Sequence, residues 1–282
     1  MEDKAVTQKI KSFYEKTPFP NYSSIDSLWR LRQKASEAIF PKLLDDQIPK
    51  DAKILEVGCG TGQLSNLLGS SWKRQVIGAD MCLNSLKLAK EFKKKMKIKN
   101  VEFQEMNLFK PIFKPNTFDY IICNGVLHHT GNPFGGFQSI SKLIRPGGYI
   151  VIGLYNKYGR IPTDLRRIIF KITGNNFKSL DPYIKSKKLE KVKEDTWFAD
   201  QYLNPHESKH TIDEVLSWFD KCGFEFINAI PKTSLSSSFK EDEKLFSKSP
   251  IGSKLDHFLV QLGMLLAGGS EGGFFTMIGR KI

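Results

Sequence analysis

From Lys53 onward, short continuous apolar runs alternate with segments whose apolar residues recur at helical spacing. In the segment 84–96, for example, Leu86, Ala89 and Phe92 fall on one face of a helix. The predicted strands are 54–57, 75–79, 101–104, 118–123, 149–154, 224–230 and 274–278, and the predicted helices among them are 64–68, 84–96, 134–144 and 211–219. Strands that alternate with helices predict an α/β fold, a mostly parallel sheet covered on both faces that binds ligands beyond the carboxyl ends of its strands.

Three parts of the chain do not follow this alternation. They are the N-terminal region 1–48, an insertion at about 155–210 and an insertion at about 232–272. The N-terminal region is predicted to form helices over 6–16 and 27–44, separated by a stiff turn at Pro18-Phe19-Pro20. We therefore expect an N-terminal helical lid followed by a main domain over residues 49–282. The lid and the two cap insertions are predicted to pack together over the ligand face.

The sequence predicts a cytoplasmic protein without a transmembrane segment. Its N-terminus has no apolar signal segment, and its longest apolar run, 258–267, is shorter than the roughly 20 residues that a membrane span requires. The four cysteines form no CxxC pair, which excludes a zinc ribbon. Scattered cysteines without a signal segment are typical of a reducing compartment.

The formal net charge of +13 makes a nucleic-acid partner a possibility to be weighed. The charge is concentrated in residues 157–193, which contain eleven Lys or Arg and three Asp or Glu, a local excess of eight positive charges. Lysine-rich runs of this kind are more often solvated helix faces than nucleic-acid sites. We therefore retain nucleic acid as the less favoured partner.

A glycine-rich loop follows the first predicted strand, with the sequence Glu56-Val57-Gly58-Cys59-Gly60-Thr61-Gly62. Glycines permit a tight turn and a close approach of the backbone to a ligand, and the helix that follows offers free N–H groups. A dinucleotide-binding loop would require a sixth-position glycine where this chain has Gln63. This difference disfavours a nicotinamide-dependent dehydrogenase.

The spacing Gly-x-Gly-x-Gly after an acidic residue, together with Asp80 at the end of the next strand, resembles class I S-adenosylmethionine-dependent methyltransferases over about residues 50–155. The resemblance implies a three-layer Rossmann-like methyltransferase fold, with a mostly parallel seven-stranded sheet that ends in an antiparallel hairpin. It also implies S-adenosylmethionine as the cofactor. The positions that match cofactor-binding residues are Glu56, Gly58, Cys59, Gly60, Gly62, Asp80, Met81, Asn107, Leu108 and Asn124.

Two of these matches carry a specific expectation. Asp80 matches the carboxylate that accepts both ribose hydroxyls, a role suited to a group with two acceptor oxygens and no donor. Asn107 stands where many family members have Asp near the adenine amino group, and its carbonyl oxygen can still accept that hydrogen bond.

The segment 124–130 resembles family members that act on small molecules, quinones and lipids, because Leu127-His128-His129 is common among them. The Asn-Pro-Pro-aromatic or Asp-Pro-Pro-aromatic motif of enzymes that methylate base amines is absent, as is the Pro-Cys pair of cytosine-C5 enzymes. We therefore expect a small organic or lipid-like acceptor. An RNA- or protein-modifying methyltransferase and a non-catalytic cofactor-binding module remain alternatives.

The candidate catalytic residues are His129, Glu207 and His210. His129 either lines the site, where a histidine that titrates near neutral pH can act as a base, or holds the loop, while His128 is expected to be structural. The segment 206–210 matches the HExxH zinc pattern literally, but a predicted capping box starts the following helix only at Thr211, so we expect no metal site. Instead, Asp200, Glu207 and His210 are predicted to face the acceptor.

Several other positions have both a functional and a structural interpretation. Tyr14 and Tyr22 are predicted to belong to the lid, so that replacing either by Phe lowers turnover. Arg160, Arg166 and Arg167 could clamp an anionic group of the acceptor, contact RNA or only solvate a helix. The apolar segment 258–267 could form a wall of the site or a membrane-surface contact, although a core helix is the more common case.

Overall fold

The computed structural model describes residues 2–22, 26–186, 190–266 and 272–282. The strands are β1 (Lys53–Val57), β2 (Gln75–Asp80), β3 (Val101–Glu105), β4 (Phe118–Asn124), β5 (Ile144–Tyr155), β6 (Phe224–Ile230) and β7 (Phe274–Lys281). The helices are α1 (Lys4–Lys16), α2 (Leu28–Ala38), α3 (Phe40–Gln47), α4 (Gln63–Gly69), α5 (Leu83–Lys95), α6 (Pro133–Ser141), α7 (Ile161–Ile172), α8 (Pro182–Ser186), α9 (Lys191–Phe198), α10 (Ile212–Lys221) and α11 (Lys254–Leu266).

The seven strands form one sheet in the order β3-β2-β1-β4-β5-β7-β6. All neighbouring strands are parallel except β7, which is antiparallel to both β5 and β6. The predicted fold class is therefore confirmed, including the terminal antiparallel hairpin. The strand order reverses between β1 and β4, so the carboxyl ends of these two strands border the crevice where such sheets bind ligands.

The core consists of two apolar layers, one on each face of the sheet. Leu55 of β1 packs in the layer that contains Phe137 and Phe219, whereas its neighbour Ile54 packs in the layer that contains Leu44 and Leu68. Successive side chains of a strand point to opposite faces, so a continuous apolar run such as β1 supplies both layers.

Three predicted elements differ from the structure. The helix predicted over 27–44 is two helices, because Ile39 has a positive φ of 57° and Pro41 lies in the first turn of α3. The strand β5 begins at Ile144, so the Arg145–Gly148 segment lies inside the strand and not before it. The insertion 155–210, for which no helix is predicted, contains α7, α8 and α9.

The N-terminal region divides into a part that covers the ligand face and a part that joins the core. Helices α2 and α3 contribute Leu31, Leu43 and Leu44 to an apolar layer of the sheet. Helix α1 contacts the first insertion instead, because the Tyr14 hydroxyl donates a hydrogen bond to Asp200. The domain boundary at residue 48 stays a prediction. Within the part of the chain that the structure describes, no helix is long and apolar enough to cross a membrane.

Candidate active site

A cavity of about 720 Å³ lies at the carboxyl ends of the central strands. This volume is within the range of roughly 300–1,000 Å³ that is typical of small-molecule sites. One part, the glycine-loop half, is lined by residues 56–60, Asp80, Met81, Asn107, Leu108 and Asn124. The other part, the cap half, is lined by Tyr14, Phe19, His129, Tyr155, Trp197, Asp200, Gln201 and Phe274.

The glycine loop is shaped by two residues that have no room for a side chain. Gly58 and Gly60 have φ values of +69° and +51°, a region that favours glycine. A Cβ atom on Gly60 would lie 2.2 Å from the carbonyl oxygen of Phe19, and one on Gly58 would lie 2.3 Å from Val126. Gly62 does not line the cavity. It lies against the ring of Phe103, which occupies the space that a side chain at this position would need.

Asp80 connects the loop to the end of β2. Its carboxylate accepts hydrogen bonds of 2.8 Å from the backbone N–H of Gly60 and of 2.8 Å from that of Cys82. Burial raises the pKa of Asp80, and the two backbone donors oppose this by stabilising the ionised form. A carboxylate has about four lone-pair sites, so two remain for hydroxyl groups of a ligand.

Glu56 is the second carboxyl group of the glycine-loop half. It is almost fully buried and accepts a hydrogen bond from the hydroxyl of Ser65. Burial raises the pKa of Glu56 to about 7, because no cation offsets the loss of hydration. Glu56 can therefore change its charge near neutral pH when a cation enters the cavity.

Asn107 and Asn124 close the glycine-loop half. The Asn107 carbonyl oxygen accepts from the Phe109 N–H at 2.9 Å, and its amide donates to Glu2 at 2.7 Å, so the N-terminus fixes its orientation. Asn124 is the last residue of β4, and its Oδ1 is buried without a hydrogen-bond partner in the described part of the chain. A buried acceptor of this kind gains stability from a donor on a bound ligand.

Helix α1 forms one wall of the cavity and is attached on two sides. Toward the sheet, the Glu15 carboxylate accepts from the N–H groups of Leu83 and Asn84 at 2.8 and 3.0 Å, at the start of α5. Toward the cap, the Tyr14 hydroxyl donates to Asp200 at 2.7 Å and accepts from Asn204 at 2.9 Å. The helix thus connects the sheet side of the cavity to the cap.

The two tyrosines that were predicted to form the lid have different roles. Tyr14 lines the cavity. Tyr22 does not, since its ring stacks on Phe92 of α5 with the centroids 4.3 Å apart, and its hydroxyl accepts from Asn66. The lid prediction therefore holds for the position of Tyr14 and is wrong for that of Tyr22, which packs on the core.

His129 lines the cavity, but both of its ring nitrogens have partners. Nδ1 lies 2.9 Å from the His206 carbonyl oxygen, which can only accept, so this nitrogen carries the proton. Nε2 lies 3.1 Å from Nε2 of His128, whose proton it accepts. Burial lowers the pKa of both histidines, so the pair is neutral. In this arrangement His129 positions the loop and has no free lone pair with which to act as a base.

Glu207 and His210 do not lie on the cavity, which corrects the expectation that they face the acceptor. Glu207 is held by Arg160 through two hydrogen bonds of 2.9 and 2.6 Å, with Arg167 at 3.2 Å. His210 contacts Ser208 and Glu214 at 2.8 and 3.0 Å. These partners satisfy both groups, so they stabilise the cap.

The same contacts exclude an anion clamp by Arg160, because its guanidinium is fully buried against Glu207 and stacks 3.6 Å from the Tyr155 ring centroid. The HExxH segment precedes α10, whose first residue is Ile212, and Thr211 caps that helix as its sequence predicts. The described ranges contain no cluster of three or more His, Cys, Asp or Glu side chains able to hold a metal ion.

Asp200 is the charged group of the cap half. It lies in a π-helical turn, Ala199–Leu203, and is buried among aromatic side chains. Its carboxylate accepts from Tyr14 and, at 2.9 Å, from the Gln201 amide. Burial raises the pKa of Asp200, which makes it a stronger base than an exposed aspartate. Nearby, the indole N–H of Trp197 is buried without an acceptor among the described residues.

The cavity wall is acidic although the chain is strongly basic. Among the described residues, its lining contains Glu56, Asp80 and Asp200 but no Lys or Arg. The lining also includes residues without any sequence signal of a site, namely Ala38, Ile39, Phe40, Pro41, Ile230, Phe239 and Thr276.

Comparison with known proteins identifies relatives of this chain. A family model described as a methyltransferase domain matches residues 48–223. An uncharacterized protein of Synechococcus is 25% identical over 254 residues, covering 79% of this chain and 60% of that protein. The ubiquinone biosynthesis O-methyltransferase of Vibrio cholerae is 26% identical over 163 residues, covering 58% of this chain and 60% of that enzyme. The alignments thus span about 60% of the length of these curated relatives.

A solved structure of PKMT2 from Rickettsia typhi in complex with AdoHcy superposes with a TM-score of 0.56. It is 18% identical, and the match covers 86% of this chain and 52% of that one. At this identity the likeness shows a shared fold. The family model, in contrast, covers more than half of the chain.

Proposed function

Because the chain belongs to the class I S-adenosylmethionine-dependent methyltransferases, we propose that it binds S-adenosylmethionine in the glycine-loop half of the cavity and methylates a small organic acceptor held in the cap half. The observation that carries this proposal is one continuous cavity that joins the glycine loop and Asp80 to a polar and aromatic cap half. The glycine loop matches the family spacing, and the cap half has space for a second reactant.

The residues of the glycine-loop half fit this cofactor. Two lone-pair sites of Asp80 remain for the ribose hydroxyls, and Met81 and Leu108 offer apolar contacts for adenine. Glu56 and the unpartnered Oδ1 of Asn124 can accept hydrogen bonds from the ammonium group of the cofactor. The cofactor supplies a methyl group that is already activated by a sulfonium centre, and the protein supplies binding, orientation and electrostatics.

The cap half favours an acceptor with an aromatic or apolar body and a neutral or protonated polar group. Its walls include Phe19, Tyr155, Trp197 and Phe274, and its charged group is the carboxylate of Asp200. A phosphate or carboxylate next to that carboxylate would be repelled. The Vibrio cholerae relative is named an O-methyltransferase of ubiquinone biosynthesis, which supports a small organic acceptor of this kind here.

Asp200 is suited to accept the proton that an O–H or N–H acceptor loses as the new bond to the methyl carbon forms. It lies on the cavity, and burial raises its pKa. Tyr14 and Gln201 hold its two oxygens in fixed positions. Since methyl transfer gains much of its rate from positioning, the carboxylate also orients the acceptor atom.

Two measurements test this function. Calorimetry with S-adenosylhomocysteine is expected to show stoichiometric binding, and a turnover screen of metabolite and lipid extracts with a labelled methyl donor is expected to yield a small labelled product. Absence of cofactor binding would refute the proposal. Label found only in RNA or protein substrates would identify a macromolecular acceptor instead.

The hydroxyl of Tyr14 offers a test of the contact between α1 and the cap half. Tyr14→Phe removes the hydrogen bonds to Asp200 and Asn204, and a bond to a charged partner contributes about 1.5–3 kcal/mol, so we expect kcat/KM to fall on the order of 10-fold. Steady-state kinetics measure this loss, and thermal unfolding measures the loss of stability that accompanies it, because the same hydrogen bonds stabilise the folded protein. Tyr22→Phe is the matched control, because it also removes one hydroxyl contact but lies away from the cavity. Equal losses in both variants would contradict the assignment.

The raised pKa of Glu56 predicts that cofactor binding is coupled to the release of a proton. With a pKa of about 7, Glu56 is about half protonated at pH 7 before the cofactor binds. A cation bound beside it lowers this pKa, so binding at pH 7 should release about half a proton. Calorimetry of S-adenosylmethionine in buffers of different ionisation enthalpy measures the release. Glu56→Gln should abolish it, and buffer-independent heats in the wild type would rule the linkage out.

The raised pKa of Glu56 also makes the stability of the protein depend on pH. The pKa of Glu56 in the folded protein lies above its unfolded value of 4.5, so the folded protein binds the proton more tightly. The resulting stabilisation is present below about pH 4.5 and is lost as the pH rises through about 7.

A further inference from the structure

The outer face of α7 is apolar and exposed to solvent. Its members are Ile161, Leu165, Ile168, Ile169 and Ile172, which recur at the spacing of one helix face. Leu165 is 57% exposed and Ile172 is 79% exposed. A helix of a globular domain ordinarily buries such a face. Here the side that packs on the protein is a different one, since Phe170 is buried against Phe198 and Tyr202.

Helix α11 extends the apolar surface. Leu255, Phe258, Leu259 and Leu266 are exposed on it, whereas His257 and Gln261 face inward. The Phe258 ring lies 6.0 Å from that of Tyr158, which precedes α7. We name the exposed apolar residues of these two helices the α7–α11 face. Exposed apolar side chains grouped on neighbouring helices in this way mark an interaction site.

The positive charge around the α7–α11 face favours an anionic partner over a second copy of this chain. Residues 157–193 have a local excess of eight positive charges in the sequence. Arg160 is buried against Glu207, and Arg166 and Arg167 are half-buried with partners in the cap, so the exposed charges that border the apolar stripe are those of Lys157 and Lys171. A second copy of the chain would bring the same positive excess against it and be repelled. An anionic surface would be attracted. An amphipathic helix with a basic polar side is the structure that binds in the plane of an anionic membrane interface.

We propose that the α7–α11 face docks the protein on the surface of an anionic lipid bilayer, with α7 lying in the interface plane. The apolar side chains enter the boundary between headgroups and acyl chains, and the exposed Lys157 and Lys171 contact the lipid phosphates. The inference goes beyond the methyl-transfer function and does not depend on it. Since Tyr155 lines the cavity just before α7 begins, docking would place the cap half close to the membrane.

Vesicle flotation of the full chain tests this inference directly. We expect binding to vesicles of phosphatidylcholine and phosphatidylglycerol in equal parts, with weaker binding to pure phosphatidylcholine and at high salt. The combined substitution Leu165→Ser, Ile168→Ser and Ile172→Ser should reduce affinity by on the order of 10-fold or more, because it removes three apolar side chains from the interface. Leu255→Ser with Leu259→Ser should weaken binding through α11.

Matched controls separate this face from general stickiness and from misfolding. Trp29→Ser with Ile112→Ser removes apolar side chains that are equally exposed but lie elsewhere, so vesicle affinity should be unchanged. Retained binding of S-adenosylhomocysteine shows that each variant is folded. No step of the vesicle assay requires methyl transfer, so its outcome is independent of the acceptor.

Three results would overturn the inference. The first is the absence of binding to anionic vesicles. The second is binding that survives the α7 substitutions but is lost in Lys90→Gln with Lys94→Gln, which would place the contact on the lysines of α5. The third is a dimer that the α7 substitutions dissociate, which would identify a second copy as the partner.

Discussion

Replacing Asp80 by alanine is expected to weaken the binding of S-adenosylhomocysteine by on the order of 100-fold or more. Two hydrogen bonds from ribose hydroxyls to a carboxylate contribute about 3–6 kcal/mol together, and each 1.4 kcal/mol corresponds to a factor of ten. The substitution also removes the acceptor for the N–H groups of Gly60 and Cys82, which loosens the glycine loop. Isothermal titration calorimetry measures the dissociation constant of each variant.

The control for this variant is Asp119→Ala. Asp119 is also a carboxylate of the sheet, and it accepts from the Lys53 N–H at 2.7 Å and pairs with Arg145, but it does not line the cavity. Its loss should lower stability without changing cofactor affinity. A further variant, Asp80→Asn, keeps one acceptor oxygen and is expected to lie between the wild type and Asp80→Ala. If all three variants bind the cofactor equally well, Asp80 has no role in ribose recognition.

The glycine-loop half could be predicted from the sequence because its residues follow strand ends at short, fixed spacing. Gly58 and Gly60 come directly after β1, and Asp80 is the last residue of β2, so the parallel sheet brings them together. Local sequence does not reveal a packing partner, however. Gly62 matches the family spacing, yet its role is to make space for Phe103, which comes from a strand about forty residues later.

The cap half could not be derived in this way. Asp200 and Trp197 come from an insertion, and Tyr14 comes from the N-terminus, so their contact depends on long-range packing. The literal HExxH match pointed to Glu207 and His210. Only the structure shows that Glu207 is hydrogen-bonded to Arg160 and that His210 is hydrogen-bonded to Glu214. Buried polar groups are satisfied by whichever partners the fold supplies, which a linear pattern does not specify.

Replacing Asp200 by asparagine is expected to lower kcat/KM on the order of 100-fold while leaving cofactor affinity nearly unchanged. Asparagine preserves the shape and one acceptor oxygen but removes the negative charge and the basicity that we assign to this position. Loss of a positioned general base typically reduces the rate by about 10²–10⁴. Steady-state kinetics with the acceptor found in the screen, combined with calorimetry of S-adenosylhomocysteine, distinguish the two effects.

The chain contains a matched control for this test. Asp181 is another buried carboxylate of the same insertion, and it accepts from a tyrosine hydroxyl, that of Tyr202, at 2.6 Å, but it does not line the cavity. Asp181→Asn should therefore affect stability more than kcat/KM. The pH profile provides the second criterion, since wild-type activity should decline as Asp200 becomes protonated at low pH, and Asp200→Asn should lack that limb. A similar loss of kcat/KM in both variants, or an unchanged acidic limb, would show that Asp200 supports the cap without taking part in the reaction.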